Sequence, residues 1–589
     1  MSIKEWLVDN KVKWSETLSR FTWPIVFIFI TAILSMVTIQ TDGSPDLYIE
    51  SLASGLCAYA LILIQVIVER FYSANKRMQT IFVALTISLS LLYYIYLRQA
   101  PMEANQSGSI RTMVLFFIIT VSLLTVPTLR SSLRISDTLV QLIKAIFSSL
   151  LLSLILFLGV TAVIGAFSAL IYSLSYHWYS QMGVISFLLI FPINFLMRLP
   201  VYTPESLSKP NQQSTAIPPL LESIVAFVAI PLLFIFTGIL IIYIILNINT
   251  IFWRSNMMEP MLIGYSISGL VTLSLSEKSS RQVARMFRWL FPFLLLGIAI
   301  FQLFASSFKT VELGMTHSRY FVLLFSIFSI IASVLYSFSR TKQEWIPRIL
   351  ILLSVISILP FIDAVSVGIF SQTNEVNRIA EGMSWASGQT LQPGTQSLNE
   401  NEKVQLSYSF NYLNEQDALN RFDWLPDNFN YYNTFDYVFG FDPYYYSYAH
   451  NDMNEYNPDS RQYAYIQLDE STPMVLDMSN IDAFVEVATY NNYAESFTLS
   501  TGHTLDFSAT NDDFSVAVLD GDNELIHYDL SFLKETIWEL NAENPSYTLD
   551  DLTFHKENDQ VDLTIMVKRF EMEQGSYFSG DFFVLITIK

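Results

Sequence analysis

The chain has 589 residues, a net charge of −20 and a mean hydropathy of +0.38. That is too apolar for an ordinary soluble protein, and too acidic to favour nucleic acid, whose phosphates it would repel. Its one cysteine, Cys57, excludes an intrachain disulfide and suggests no thiol chemistry.

Residues 1–20 are polar and basic, and no small-x-small cleavage site follows the first apolar stretch. The first span is therefore read as a retained anchor after a cytoplasmic N-terminal segment. Eleven apolar stretches follow one another through residues 21–369: Phe21–Ile39, Ser51–Val68, Gln79–Leu97, Thr112–Leu129, Ile146–Ser173, Gln181–Met197, Glu222–Asn247, Glu259–Ser276, Arg288–Ser307, Tyr320–Ser339 and Ile346–Ile369. Their lengths suit the ~20 residues a helix needs to cross ~30 Å of hydrocarbon. The eighth is the most polar of them. Small residues recur along it at Gly264, Ser268, Thr272 and Ser276, and along the fifth at Ala162, Gly165, Ala166 and Ala169, which reads as packing seams.

Basic residues decide the orientation. Lys4, Lys11, Lys13, Arg20, Arg70, Lys76, Arg77, Arg130, Arg134, Lys144, Arg198, Lys209, Lys278, Arg281, Arg285, Arg288, Arg340, Lys342 and Arg348 lie at one set of alternate gaps. Only Arg98, Arg111, Arg254, Lys309 and Arg319 lie at the other. Bilayer insertion keeps Lys and Arg on the cytoplasmic side, so eleven spans are expected in a cell membrane, with the N-terminus inside and the C-terminus outside. Dropping the eighth span would put Arg254 and the Lys278–Arg288 cluster in one loop.

From Phe370 onward the chain carries nine Lys/Arg and 37 Asp/Glu, a net of −28. Residues 370–400 read as a linker, rich in Gly, Ser, Gln, Asn and Pro. Residues 401–589 read as an acidic extracytoplasmic domain that opens with a helix over 401–425, stopped at Pro426. An aromatic loop over 429–456 contains Tyr444, Tyr445 and Tyr446. Such rings, laced with Asp and Asn, suit packing, a glycan or a membrane interface. Residues 462–589 are β-rich, with strands predicted at Gln462–Leu468, Phe484–Thr489, Phe497–Thr501, Phe514–Leu519, Leu525–Leu530, Val561–Val567 and Phe582–Ile588. Asp520-Gly521-Asp522-Asn523 predicts a hairpin between the fourth and fifth. The expected fold class is thus a polytopic helical bundle followed by a mainly antiparallel β domain.

Catalytic signatures are missing: there is no phosphate-binding glycine loop, no Gly-x-Ser-x-Gly elbow and no His-Glu-x-x-His helix. The six histidines show no ligand spacing, and no cofactor is implied. Asp520, Asp522 and Glu524 imitate a calcium loop, but Leu525 and Ser531 stand where it needs Gly and Glu, so no metal site is expected. Asp42, Asp46 and Glu50 lie in the first external loop, where a lipid-linked-sugar glycosyltransferase would hold a carboxylate. Asn194 beside Pro192 and Asp363 beside Pro360 are the intramembrane polar residues that a permease would use, with helix capping as the plainer alternative.

Two stretches carry a family resemblance. GMTHSRYFVLL (Gly314–Leu324) is similar to the Gly-x-Thr-x-x-Arg-Tyr element of the bacterial "domain of unknown function 4153" family. LPFIDAVSVGIFSQTNEVNRI (Leu359–Ile379) resembles that family's Pro…Ser-Val-x-x-x-Ser-Gln…Arg element, matched here by Pro360, Ser366, Val367, Ser371, Gln372 and Arg378. Asn411–Pro426 and Asp551–Val567 look like its later helix and closing strands. The resemblance implies a polytopic membrane protein with an appended C-terminal domain and supplies no catalytic residue. Thr316, Arg319, Tyr320, Ser371 and Gln372 all fall on the outer face of the expected topology, where they would meet as a shared site. The leading reading is a non-enzymatic protein for envelope-related sensing, scaffolding or interaction. Its partners would be the lipid bilayer and a cell-envelope glycan or another membrane protein. A permease or flippase for an amphiphilic substrate and a glycosyltransferase are the alternatives.

Overall fold

The computed structural model describes residues 13–41, 45–72, 75–100, 106–204, 215–247, 258–339, 342–382 and 398–426. Beyond these it describes 429–432, 434–441, 443, 463–468, 478, 481–490, 493–510, 514–521, 523–534, 536, 547, 549, 551–573 and 577–589. The chain divides into two compact units. One holds Met1–Gln389, Leu398–Trp424 and Tyr444–Ala449, and the other Thr390–Ser397, Leu425–Pro443 and His450–Lys589.

The first unit is helical. Among the described residues, nine helices are long and apolar enough to cross a membrane. They are α1 Thr22–Gln40, α2 Pro45–Tyr72, α3 Lys76–Leu97, α4 Ser107–Thr125, α5 Ile135–Leu170, α6 His177–Arg198, α7 Pro219–Leu246, α9 Gln282–Leu313 and α10 His317–Phe338. By length and composition they mark a multi-pass membrane protein. Two shorter apolar helices, Pro260–Ser276 within α8 (Met258–Ser276) and α11 Trp345–Ile356, stand where the eighth and eleventh spans were expected. The eleventh is not one continuous helix. Pro360 lacks the N–H a helix would use, Phe361 adopts φ +71, and the chain turns before α12 Ala364–Gly382 begins. A further helix, α13 Glu400–Glu415, completes the unit.

Proline also explains the two wide-turned segments. The π-helical runs Val184–Ile190 in α6 and Val225–Ala229 in α7 end just before Pro192 and Pro231. A prolyl ring clashes with the carbonyl four residues back, and a locally widened helix relieves that clash.

Packing bears out the expected seams only in part: Thr272 and Ser276 are buried, whereas Gly264 and Ser268 are exposed, as are Ala162, Ala166 and Ala169. The close approach on α8 is one residue round, at Gly269, where a Cβ would lie 2.3 Å from the ring of Phe291 on α9. Between α1 and α2 the contact is polar: Thr31 meets Ser54 at 2.9 Å and Ser35 meets Ser51 at 2.6 Å. At one end of the unit Arg20 forks onto Glu69 at 2.6 and 2.7 Å and caps the Leu199 and Pro200 carbonyls, while Lys278 pairs with Asp137.

The second unit is β-rich. Four strands, β3 Tyr493–Thr498, β4 Thr504–Ala509, β5 Phe514–Asp520 and β6 Asn523–Asp529, form an antiparallel meander. The other sheet runs β1 Tyr463–Gln467, β8 Val561–Glu573, β9 Tyr577–Ile588, β2 Ala483–Tyr490, with β7 Thr553–Glu557 also on β8. Asp520 pairs with Asn523 across the expected hairpin, and Gly521 takes φ +58. Strands β4 and β7 were not expected. Polar residues within them, such as Asp506, His555 and Lys556, dilute the β signal. One core joins the two sheets: Phe507 and Phe514 of the meander pack on Phe582 and Phe570 at ring separations of 5.5 to 6.0 Å. Phe582→Ala should therefore lower the stability of this unit by about 3–5 kcal/mol. The check is calorimetry of the full-length protein, where its transition should fall while the helical one stays.

Candidate functional site

The site is built where α9 ends. Gly314 takes φ +74, a left-handed conformation that suits a helix terminus, and Thr316 then caps α10 by accepting from the Arg319 N–H. A helix leaves its last four carbonyls without partners. Here side chains from three other helices supply them. Gln405 of α13 donates to the Glu312 carbonyl at 2.9 Å. The Gln372 amide of α12 donates to Leu313 and Met315, both at 3.0 Å. The guanidinium of Arg319, on α10, donates to Leu313 at 3.2 Å and Gly314 at 2.6 Å.

The same groups reach onward to α13. Gln372 accepts from the Ser409 hydroxyl at 2.7 Å through Oε1, so its amide is fully used although the residue is 0% exposed. Arg319, 2% exposed, donates to the Tyr408 hydroxyl at 3.0 Å and lies 4.9 Å over that ring. Ser371 Oγ accepts from the Met315 N–H at 2.9 Å, and the Tyr412 hydroxyl accepts from the His317 N–H at 3.2 Å. Gln405, Tyr408, Ser409 and Tyr412 follow the spacing of one helix face, between buried Leu406, Phe410 and Leu413. This face is why α13 groups with the helical unit and not with the β-rich domain to which the sequence assigned 401–425.

A second polar knot adjoins the first. Asp363 caps α12, accepting from the Val365 and Ser366 N–H groups and the Ser366 hydroxyl, and pairs with Arg111 of α4 at 3.0 Å. Tyr320 donates to the Ile362 carbonyl at 3.0 Å. The structure thus brings Thr316, Arg319, Tyr320, Asp363, Ser371 and Gln372 into one joint.

The remaining expected residues lie elsewhere. Asn194 donates to the Ile190 carbonyl one turn back on its own helix. Glu50 is engaged by Arg98 at 2.9 Å and Tyr94 at 3.2 Å. Asp42, Tyr444, Tyr445 and Tyr446 lie outside the described residues, as does the side chain of Asp46. Lys309 was expected in a loop; α9 continues past it and leaves it 2% exposed. In the β-rich unit the β7–β8 pairing gathers His555, Glu557 and Asp562 within 4.8 Å, a cluster that linear spacing conceals. His555 and Glu557 are exposed, Asp562 is half-buried, and all three are already engaged. Lys589 hydrogen-bonds Glu557 and holds its carboxyl below the usual range, and His555 lies 3.3 Å from Asp562.

At the end of α13, partial desolvation by its neighbours raises the carboxyl of the otherwise exposed Glu415, with the Asn411 hydrogen bond partly opposing it. A raised folded-state value means a contribution fully present below the ordinary glutamate range and lost as pH rises through the raised value. The thermal midpoint should therefore gain from acidification across this window, and Glu415→Gln should remove that slope in scans between about pH 4 and 7.

Compared with known proteins, the model of one family, described as "Domain of unknown function (DUF4153)", matches residues 25–393. No curated protein and no solved structure matches the chain. The match runs through α1 to α12 and ends before α13.

Proposed function

Because the chain belongs to the DUF4153 family and its apolar helices are those of a multi-pass membrane protein, we propose that the helical unit is a cell-membrane anchor. It holds the acidic β-rich domain on the extracytoplasmic side for envelope-related sensing, scaffolding or interaction. The observation that carries this reading is the joint. Arg319 and Gln372, from the family's two elements, cap the end of α9 and grip α13, and the chain passes into the β-rich unit shortly afterwards, at Trp424–Leu425. The family elements thus hold the last helix before the Trp424–Leu425 boundary. The net charge of −28 beyond residue 370, against the basic alternate loops before it, supports the side on which that domain lies.

Reporter fusions after Lys342 and Gly382 test the orientation. The first should report cytoplasm and the second the opposite side; a cytoplasmic signal from the Gly382 fusion contradicts the proposal. Arg319→Met and Gln372→Leu should each reproduce whatever phenotype a chromosomal deletion produces, at normal protein levels. Full complementation by both variants would remove the joint from function.

A further inference from the structure

Midway along α9, Gln302 is 1% exposed, and neither its amide oxygen nor its amide nitrogen has a hydrogen-bond partner among the described residues. An unpaired primary amide in a dry apolar interior is costly, so its partners must be sought. The neighbouring helix offers one. The rings of Phe293 and Phe338 lie 5.9 Å apart and fix the register of α9 against antiparallel α10. Stepping nine residues inward from each brings Gln302 level with Ser329. Ser329 is fully buried, and its hydroxyl also lacks a partner among the described residues. Its row-mates behave differently: Ser326 and Ser333 each bond the carbonyl four residues back, at 2.7 Å. Ser329 makes no such bond.

The surrounding side chains are small. Ala299 and Ser306 flank Gln302 on the buried face of α9, and Ser326 and Ser333 flank Ser329 on α10. We infer that α9 and α10 enclose a buried site for a neutral hydrogen-bonding ligand, occupied by water, that bridges Gln302 and Ser329. The chemistry selects the ligand class. An amide and a hydroxyl each offer both a donor and an acceptor, which matches water and not an ion. Three polar atoms also fall within the two to four partners that a buried water takes.

The test uses the full-length protein in lipid bilayers. In water-edited solid-state NMR with 15N-glutamine, with Gln302→Leu identifying the signal, the Gln302 side-chain amide should gain water polarisation as fast as exposed glutamines do. A double-mutant cycle supplies the second readout. Gln302→Leu and Ser329→Ala should each lower the melting temperature, by about 2–4 °C, and the double variant should fall no further than the worse single one. A Gln302 amide that receives no water polarisation overturns the inference. So do single substitutions that both raise the melting temperature, which is the signature of a dry, unpaired amide. Additive effects overturn the shared bridge.

Discussion

Gln372→Leu will release α13 from the helical unit. Leucine fills a similar volume but cannot donate to the Leu313 and Met315 carbonyls or accept from Ser409. Each buried group so abandoned costs about 1–3 kcal/mol, and together they cost about 3–5 kcal/mol because some regain a partner when α13 departs. The loss falls on a local equilibrium, so the opening of α13 should rise at least about a hundred-fold while the long helices stay folded. Limited proteolysis of detergent-solubilised protein reads this directly: cleavage between residues 398 and 424 should accelerate by that factor. Gln372→Glu should behave similarly, since a carboxylate cannot donate to either carbonyl. Unchanged cleavage in both variants would mean that α13 is held by its apolar face alone.

Gly368→Ala is the second large effect, and its mechanism is steric. A Cβ at residue 368 would sit 2.2 Å from the Tyr412 hydroxyl, 2.9 Å from its ring and 3.2 Å from the His317 backbone nitrogen. The tyrosine has little room to retreat, because its ring stacks on His317 at a centroid distance of 5.6 Å. Overpacking of this kind costs about 1–3 kcal/mol, and the displaced hydroxyl also leaves the His317 N–H without its acceptor. Tyr412→Phe removes the nearest obstructing atom, so in the Gly368→Ala background it should recover part of the lost stability. Alone, it should be mildly destabilising. This reversal of sign, measured as thermal midpoints of the four proteins, separates a clash at this contact from a general dislike of alanine in α12.

The sequence made the broad architecture legible because membrane helices and exposed β-strands write long, simple patterns. Apolar length found the nine described helices long enough to cross a membrane, and alternation found most of the strands. What stayed hidden depends on the third dimension. The break at Pro360–Phe361 lies inside a stretch that is apolar throughout, so composition reads straight across it. Gly269, the tight contact on α8, was masked by the more regular series one residue away. Lys309 looked like a loop residue because hydropathy ends at Ser307, whereas the helix continues to Leu313.

The joint was half visible. Arg319, Gln372 and their neighbours stood out through a family resemblance, and an end-of-helix location followed from the span pattern. Their partners on α13 did not. Gln405, Tyr408, Ser409 and Tyr412 read as the polar side of an ordinary amphipathic helix, and only the fold reveals that this side faces buried carbonyls. Asp363 follows the plainer of its two expected readings: it caps α12 and pairs with Arg111.

The central claim is that the two family elements hold α13 against the end of α9. Hydrogen–deuterium exchange of the wild-type full-length protein in lipid bilayers tests it most directly. Backbone amides across residues 404–415 should exchange at least about a thousand-fold more slowly than an unstructured chain, and Arg319→Met should remove most of that protection while α9 and α10 keep theirs. Exchange of 404–415 at the unprotected rate in the wild type, beside a protected α9, would contradict the account.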